Sequence, residues 1–263
     1  MKKHLLQYLR KRNTKESSML GIAFRYENLK NAVADQMQTI NDGSPCRQII
    51  FANSYSVCLA RNRPSFSRVL HSADFVYPDG ISIVLAARVL GIPIYDRVAG
   101  PDFMLELLAQ TSPLGIRSFF LGGQNTKVLN DLKQEISGRF GELIWAGGVS
   151  PPFGDYDCEY IDWLIQEINQ SGASILWVGL GSPKQDLLID RIKGSLKIKM
   201  AVGVGAAFDF HSRQISRAPL WMQHWGFEWL FRLGSDPKRL WKRYLLGNLQ
   251  FMFLLAKEVF SRK

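Results

Sequence analysis

The sequence predicts an α/β fold in which a parallel sheet is covered by helices on both faces. Short apolar runs alternate with amphipathic segments along most of the 263 residues, and glycine-rich turns stand between them. This rhythm is typical of parallel sheets, because each crossover between parallel strands needs a helix. A hydrophobic fraction of 46% is sufficient for a globular core. We expect a core domain over 21–210, a basic tail over 1–20 and an appendage over 211–263.

The predicted elements follow from apolar spacing taken in chain order. Apolar residues at intervals of three and four predict helices, and compact apolar runs that end at Gly, Asn or Asp predict strands. The predicted helices cover 28–40, 56–63, 81–90, 102–109, 126–140, 160–169 and 186–192. The predicted strands cover 48–52, 74–77, 117–121, 143–146, 174–178 and 200–204. A Gly/Pro loop is predicted over 147–157, before the sixth helix.

The balance of charge points to an anionic partner. The chain carries a formal charge of +10 and has a sequence pI of about 9.6. Nucleic acid, anionic lipid and phosphorylated substrates are the classes that such a surface attracts. The three cysteines form neither a CxxC pair nor a Cys/His zinc pattern, which indicates structural thiols in a reducing compartment. Because no run reaches the roughly 18 apolar residues of a spanning helix, we expect a cytoplasmic protein.

The stretch 77–102 is the first candidate for a site. Asp79 follows the apolar run 75–77 and stands where a predicted strand passes into a helix. Open α/β sheets place ligand-binding groups at such junctions, and the helix N-terminus favours the charged form of a carboxylate. The alternative is that Asp79 only caps the helix. A second polar cluster, with Arg97 and Asp102, follows closely and favours a site over a cap.

Glycine-rich turns after three predicted strands indicate a phosphate-binding cleft. They cover 122–124, 179–185 and 203–206. Glycine lets backbone N–H groups approach a phosphate, and the following helix contributes its positive end. Because none of the turns matches GxGxxG or the P-loop, the pattern argues against a dehydrogenase or a P-loop NTPase and favours a nucleotide or nucleotide-sugar site. The candidate donor-binding residues in these turns are Gly122, Gly123, Gln124, Gly181, Lys184, Gln185 and Gly205.

One acidic motif has the form of a metal site. Asp155 and Asp157 are separated by a single residue, and such Asp-x-Asp pairs can hold a divalent cation against a diphosphate. The alternative is that both acids stabilise the N-terminus of the following helix through its dipole. We favour the dipole and predict no metal site. The histidines are scattered, and we expect His211 and His224 to make local contacts.

The appendage combines positive charge with aromatic residues. Residues 213–263 contain ten Lys and Arg against three acidic residues, and four tryptophans lie among them. Such a composition suits the surface of an anionic membrane, whereas the uncharged run 244–256 is only 13 residues long and too short to span one. A basic amphipathic helix packed on its own domain is the alternative. We expect no nucleic acid, because no DNA- or RNA-binding module stands out.

Eight motifs together resemble one family. They are YPDGISIV, RVAGPD, FLGG, GLGSPKQD, VGVGAAFDF, RAPLW, GFEWLFRL and DPKRLWKRY, and they extend over about residues 48–250. In this combination and order they resemble the WecG/TagA/CpsF family, glycosyltransferase family 26. The resemblance implies a Rossmann-like parallel sheet core and a C-terminal basic helical appendage that binds the membrane and helps to complete the site.

The resemblance also implies an activity and partners. The family transfers an N-acetylmannosamine-type or related sugar (a hexose or uronic acid) from a UDP-sugar to a polyprenyl-diphosphate-linked sugar, with inversion, in cell-surface polysaccharide or teichoic acid synthesis. The expected location is the cytoplasmic face of the membrane. We expect neither a cofactor nor a metal and keep a homo-oligomer open. The alternatives are a non-catalytic peripheral membrane protein that binds polyprenyl phosphate or anionic lipid, and a metal-dependent transferase that uses the Asp-x-Asp motif.

Individual roles are implied residue by residue. By its match to the family motif, Asp79 is the catalytic base, and Asn53 and Arg97 belong to the catalytic group. Gln185 and Asp209 match donor-site residues. The appendage arginines that match positions facing the acceptor, the diphosphate or the membrane are Arg217, Arg232, Arg239 and Arg243. Phe51 departs from the family, which often has Thr at that position, and this puts one hydroxyl contact in doubt.

Overall fold

The core of the protein is a twisted parallel sheet. The computed structural model describes residues 16–40 and 43–262, and within them six parallel strands form one sheet in the order β4-β3-β8-β7-β5-β6. A separate antiparallel hairpin pairs β1 with β2. The strands are β1 (Glu16–Met19), β2 (Ile22–Arg25), β3 (Arg47–Ala52), β4 (Phe75–Pro78), β5 (Ser118–Gly122), β6 (Trp145–Val149), β7 (Ile175–Gly179) and β8 (Met200–Gly203).

Helices connect the strands and continue into the appendage. In the core they are α1 (Leu29–Ile40), α2 (Ser54–Asn62), α3 (Pro64–Ser72), α4 (Ile81–Val89), α5 (Gly100–Thr111), α6 (Thr126–Phe140), α7 (Cys158–Gln170), α8 (Lys184–Ile192) and α9 (Ala207–His211). In the appendage they are α10 (Leu220–His224), α11 (Glu228–Ser235), α12 (Pro237–Trp241) and α13 (Gly247–Ser261), with a π-helical turn over Lys242–Leu246.

Both faces of the sheet are buried, as expected for parallel strands. In β3 the side chains of Ile49 and Phe51 pack into one apolar cluster, while Ile50 and Ala52 pack into another on the opposite face. This alternation follows from the two-residue period of a strand. Aromatic rings fill much of the first cluster, where Phe51 stacks on Tyr77 at 5.9 Å between ring centroids. The predicted α/β class with helices on both faces is therefore confirmed.

Most predicted elements lie within a few residues of the observed ones, and the exceptions have local causes. The hairpin β1–β2 and helix α3 were not predicted. Strand β6 extends into the range predicted as a Gly/Pro loop. Its two glycines led to that prediction, because glycine is rare in strands. Strand β1 begins at Glu16, inside the predicted basic tail, and residues 1–15 of that tail lie outside the described residues.

The appendage is partly built into the core. Helix α13 packs against α2, and Phe251 of α13 is buried in the same apolar cluster as Val57 and Ile83. The Cys58 thiol lies 3.5 Å from the carbonyl oxygen of Gly247. Within residues 16–40 and 43–262, no helix is both long and apolar enough to cross a membrane. The appendage thus forms part of the folded body through one face of its last helix.

Candidate active site

The sheet brings the predicted site residues to one edge. Asn53 follows β3, Asp79 follows β4, and glycine turns follow β5, β7 and β8. Because all of these strands are parallel, their carboxyl ends share an edge of the sheet. The neighbouring ends of β3 and β4 are joined by a hydrogen bond in which the Asp79 N–H donates to the Ala52 carbonyl oxygen at 2.9 Å. Asn53 and Asp79 are thereby neighbours on this edge.

Asp79 is a partly buried carboxylate with no capping role. The cap position of α4 is Gly80, which has no side chain, so the alternative that Asp79 caps this helix is wrong. Burial raises the pKa of Asp79 to about 6, and the negative charge of Glu228 raises it further. Three arginines act in the opposite direction but do not outweigh the burial. Burial thus outweighs the effect expected from the helix N-terminus, and the pKa of Asp79 lies above its ordinary value.

The three arginines near Asp79 converge on one appendage carboxylate. They are Arg97, Arg217 and Arg232, called here the arginine cluster. Arg97 Nη1 lies 3.5 Å from Glu228 Oε2, and Arg217 Nε lies 3.8 Å from Glu228 Oε1. Arg232, one helical turn after Glu228 in α11, lies 3.9 Å from the same oxygen. The cluster joins the core to the appendage directly beside Asp79.

Asp102 fixes one member of the cluster. Both of its carboxylate oxygens accept hydrogen bonds from the Arg217 guanidinium, one of them at 2.8 Å. Burial works against ionisation of Asp102, but this bidentate pair outweighs it and lowers the pKa of the carboxyl. Arg232 lies over the Phe210 ring at 4.7 Å, a cation–π distance. Arg217 and Arg232 are thus each held by more than one contact, near enough to Asp79 for their charges to lower its pKa.

Gln185 ties two of the glycine turns together. Its side chain is buried, and Oε1 accepts hydrogen bonds from the N–H of Gly181 at 3.0 Å and from the N–H of Gly205 at 2.9 Å. Both N–H groups are therefore engaged inside the protein in this structure. Gly203 makes the arrangement possible, because a Cβ there would lie 2.7 Å from Gln185 Nε2. Gln185 therefore fixes the shape of these two turns from inside the protein.

Other predicted donor residues are spread along the edge. Lys184 Nζ donates to the Gly154 carbonyl oxygen at 2.6 Å and lies over the Tyr156 ring, in the loop before α7. Gly122 ends β5, and Gly123 and the exposed Gln124 follow it. Asp209 lies in α9 after β8, where its carbonyl oxygen accepts hydrogen bonds from the backbone of the following turn. These residues surround the edge from the β5 and β7 side.

Local contacts explain several other candidates. Asn53 caps α2, since its side-chain oxygen accepts from the Ser56 N–H at 3.1 Å. Asp157 caps α7 by accepting from the Tyr160 N–H at 2.8 Å, as the helix-terminus alternative predicted. His211 Nε2 lies 3.1 Å from the Pro101 carbonyl oxygen. In the part of the chain that the structure describes, no three His, Cys, Asp or Glu side chains are grouped as metal ligands.

Some residues of the prediction cannot be placed in detail, and one residue was missed. Arg239 lies in α12 and Arg243 in the π-helical turn, and their side chains, like that of His224, are outside the described part of the structure. Phe51 is a buried core ring that supplies no hydroxyl to the site. Glu228 was not predicted, although it is the single acidic residue among several arginines between 210 and 235.

The chain is similar to known sugar transferases. A family model described as "Glycosyl transferase WecG/TagA/CpsF family" matches residues 17–263. The chain is also similar to a protein of Bacillus spizizenii named N-acetylglucosaminyldiphosphoundecaprenol N-acetyl-beta-D-mannosaminyltransferase. The two are 31% identical over 200 residues, which cover 75% of this chain and 74% of the relative. The family match includes both Asp79 on the sheet edge and the appendage that carries Glu228.

Proposed function

This chain belongs to the WecG/TagA/CpsF family of glycosyltransferases, and we propose that it moves N-acetylmannosamine or a related hexose or uronic acid from UDP to a polyprenyl-diphosphate-linked sugar. The relative's name supports both the sugar and the type of acceptor. One observation carries the proposal: a partly buried carboxylate at the sheet edge, Asp79, is faced by the arginine cluster. A base and a group of cations at one place suit transfer from a diphosphate leaving group.

Asp79 is the base in this proposal. A sugar hydroxyl has a high pKa, so a carboxylate within hydrogen-bond reach assists its attack by accepting the proton as the new bond forms. With a pKa of about 6, Asp79 is mostly ionised near neutral pH and is a stronger base than an ordinary aspartate. The acceptor oxygen bonds to the anomeric carbon while the bond from that carbon to the diphosphate oxygen breaks. A single displacement from the opposite side inverts the carbon.

The arginine cluster stabilises the leaving group. The electron pair of the broken bond passes to UDP, whose diphosphate gains negative charge in the transition state. Guanidinium groups bind phosphate oxygens through paired N–H donors. Because Asp102 already accepts from both Nη groups of Arg217, Arg97 and Arg232 have more donors to offer to the diphosphate. Fixed cations of this kind lower the barrier without having to reorganise during the reaction.

The turns on the β5 and β7 side receive the nucleotide in this proposal. Gln185 holds the turns at Gly181 and Gly205 in one shape, and the start of α8 lies beside them. The N-terminus of a helix and a rigid glycine turn form a favourable surface for a phosphate or a nucleotide edge. The contribution of Gln185 is then indirect, since its own oxygen is used inside the protein.

The appendage places this site at an anionic membrane surface. Its apolar side chains are unusually exposed, including Trp221 at 61% and Trp225 at 74%. Leu249, Met252 and Phe253 of α13 are also exposed, on a helix whose Phe251 faces the core. Aromatic rings favour the membrane interface, and the surrounding Lys and Arg favour anionic headgroups. The proposed location is therefore peripheral, on the cytoplasmic leaflet where a polyprenyl-linked acceptor is reached.

A donor panel tests the function directly. Purified full-length protein is incubated with a short-chain lipid-diphosphate-GlcNAc analogue and one of several UDP-sugars, and released UDP is measured. We expect release with UDP-N-acetylmannosamine or a related sugar, together with a product that carries the inverted anomeric configuration by NMR. Binding of the lipid analogue without UDP release from any donor would instead favour the non-catalytic lipid-binding alternative.

A further inference from the structure

Glu228 has a position that the proposed mechanism has not used. We infer that Glu228 is a positioning residue: its carboxylate holds the arginine cluster beside Asp79 and occupies the place that the nucleotide diphosphate takes when the donor binds. The inference rests on the proposed function and assigns a role to a residue of the appendage. It is carried by the convergence of side chains from separate segments on one carboxylate.

The contacts of Glu228 are shared and long. Its two oxygens lie 3.5 Å, 3.8 Å and 3.9 Å from nitrogens of the three cluster members. Charge-assisted hydrogen bonds between a guanidinium and an oxyanion are normally about 2.7–2.9 Å long. The contacts with Glu228 are therefore weaker than those a well-placed phosphate oxygen would make. One carboxylate keeps the arginines together without binding any of them tightly.

The members of the cluster differ in how firmly they are held. Arg217 makes a bidentate pair with Asp102 as well as its contact with Glu228. Among the described residues, Arg97 and Arg232 each have Glu228 as their ion-pair partner. If a diphosphate replaced Glu228, Arg217 would stay paired with Asp102. Arg97 and Arg232 would then be free to bind the diphosphate. In this inference the Glu228 carboxylate occupies, in the free protein, the position at which the arginine cluster binds the diphosphate of the donor.

The balance of charge supports this exchange. The cluster carries three positive charges, while Glu228, Asp102 and ionised Asp79 carry three negative ones. The cluster is therefore neutralised before any ligand arrives, and an arriving diphosphate meets the repulsion of Glu228. Removal of that carboxylate leaves an excess positive charge, which strengthens the attraction for UDP. We expect the natural residue to lower the affinity for nucleotide and so to favour product release.

Glu228 also affects the base itself. The charged groups that face Asp79 are Glu228 and Arg232 from α11, Arg97 from the loop before α5 and Arg217 from the loop before α10. Asp102 and His211 stand behind Arg217. Of the charges that face Asp79 directly, the negative charge of Glu228 raises its pKa and the arginines lower it. Loss of the Glu228 charge therefore lowers the pKa of Asp79, so the base ionises at a lower pH.

Two readouts on matched variants test the inference. Glu228→Gln removes the charge with little change of shape, and Glu228→Ala removes the same charge by a second route. Glu228→Asp keeps the charge, and Glu135→Gln removes a carboxylate from the Arg213 pair outside the site. Calorimetry measures the binding of UDP and of inorganic diphosphate to each full-length protein. Kinetics measure the acidic limb of kcat/KM against pH, and thermal unfolding checks that each variant is folded.

The expected pattern separates a positioning role from a purely structural one. Glu228→Gln and Glu228→Ala should bind UDP and inorganic diphosphate roughly tenfold more tightly. Their acidic limb should move down by roughly half to one pH unit. Glu228→Asp should largely restore both values, and Glu135→Gln should match the natural protein. Unchanged or weaker UDP binding in both charge-removing variants, with the limb in its original place, would overturn the inference.

Failure of the inference differs from failure of the proposed function. If the function is wrong, the natural protein itself releases no UDP from any donor, and the kinetic arm shows this at once. If only the inference is wrong, the natural protein turns over normally and Glu228→Gln behaves like Glu135→Gln. The binding of inorganic diphosphate needs no turnover, so an unchanged affinity in Glu228→Gln counts against the inference in either case.

Discussion

Replacement of Asp79 by Asn should inactivate the enzyme and at the same time stabilise its fold. The amide of Asn has nearly the same shape as the carboxylate of Asp, but it cannot accept the proton of a hydroxyl group. Loss of a positioned base costs about two to four orders of magnitude in rate. Donor binding should persist, because the arginine cluster is untouched and one negative charge near the diphosphate is removed.

The stability gain follows from the pKa of Asp79. Burial raises it from 3.8 to about 6, so the folded state holds this proton more tightly than the unfolded state. Below about pH 4 the group is protonated in both states and costs nothing. As pH rises through the range between the two values, stability is lost, and the full loss remains above pH 6. At about 1.4 kcal/mol per pKa unit the upper bound of this loss is roughly 3 kcal/mol. Because the side chain is partly exposed, we expect a value between about 1 kcal/mol and that bound.

The assay compares unfolding of Asp79→Asn and the natural protein at several pH values. At pH 8 we expect the variant to melt higher by roughly 2–10 °C, and the gap should shrink towards zero near pH 4. Asp155→Asn, which removes an exposed loop carboxylate, is the charge-matched control and should show no such gap. A variant that transfers sugar at close to the natural rate, or that is less stable at pH 8, would refute the assignment of Asp79 as a buried base.

Further predictions concern the turns, the appendage and metals. Gln185→Ala leaves the N–H groups of two turns without their acceptor, so we expect a loss of about 1–3 kcal/mol in unfolding free energy and a raised KM for the donor; an unchanged KM would count against a shaping role. A double change of Trp221 and Trp225 to Ser should reduce sedimentation with anionic vesicles severalfold while UDP binding stays the same; full retention on vesicles would place the membrane contact elsewhere. Phe251→Ala should cost about 3–5 kcal/mol in unfolding free energy, because the ring is buried in the core cluster; a loss below about 1 kcal/mol would mean that α13 docks only loosely. Treatment with EDTA should leave UDP release unchanged, as expected if Asp157 serves as a helix cap; inactivation that Mg²⁺ or Mn²⁺ reverses would instead favour the metal-dependent alternative.

The fold and the position of Asp79, the proposed base, could be predicted from local sequence patterns. Compact apolar runs that end at Asn53 and Gly122 predicted the strands, and the turn after residue 77 placed Asp79 at a strand end. These features depend only on neighbours in the chain, so a single sequence carries them. The second half of strand β6 was assigned to a loop because its glycines resemble one, and the hairpin at Glu16 was missed because its short strands lie beside a basic segment.

The chemistry of the site was less accessible, because it depends on contacts between distant segments. Gln185 was predicted to face a donor, but its oxygen is used by two turns that lie 4 and 20 residues away. Glu228 was overlooked, since its partner Arg97 is 131 residues away in the chain. The raised pKa of Asp79 was not anticipated for the same reason. A helix N-terminus is visible in the sequence, whereas burial beneath a distant segment is not.

The dependence of Asp79 on the appendage joins catalysis to docking of that segment. Three of the four charged groups that set the pKa of Asp79 belong to the segment after residue 211, namely Glu228, Arg232 and Arg217. The same segment is anchored by Phe251 in the core and presents exposed tryptophans on its surface. A change in how the segment lies on the core therefore alters the pKa of Asp79 and the position of the arginine cluster, which are the proposed base and the proposed diphosphate-binding cations. A membrane that contacts those tryptophans would act on the same segment. The proposed membrane surface and the charged groups around Asp79 therefore belong to one structural unit.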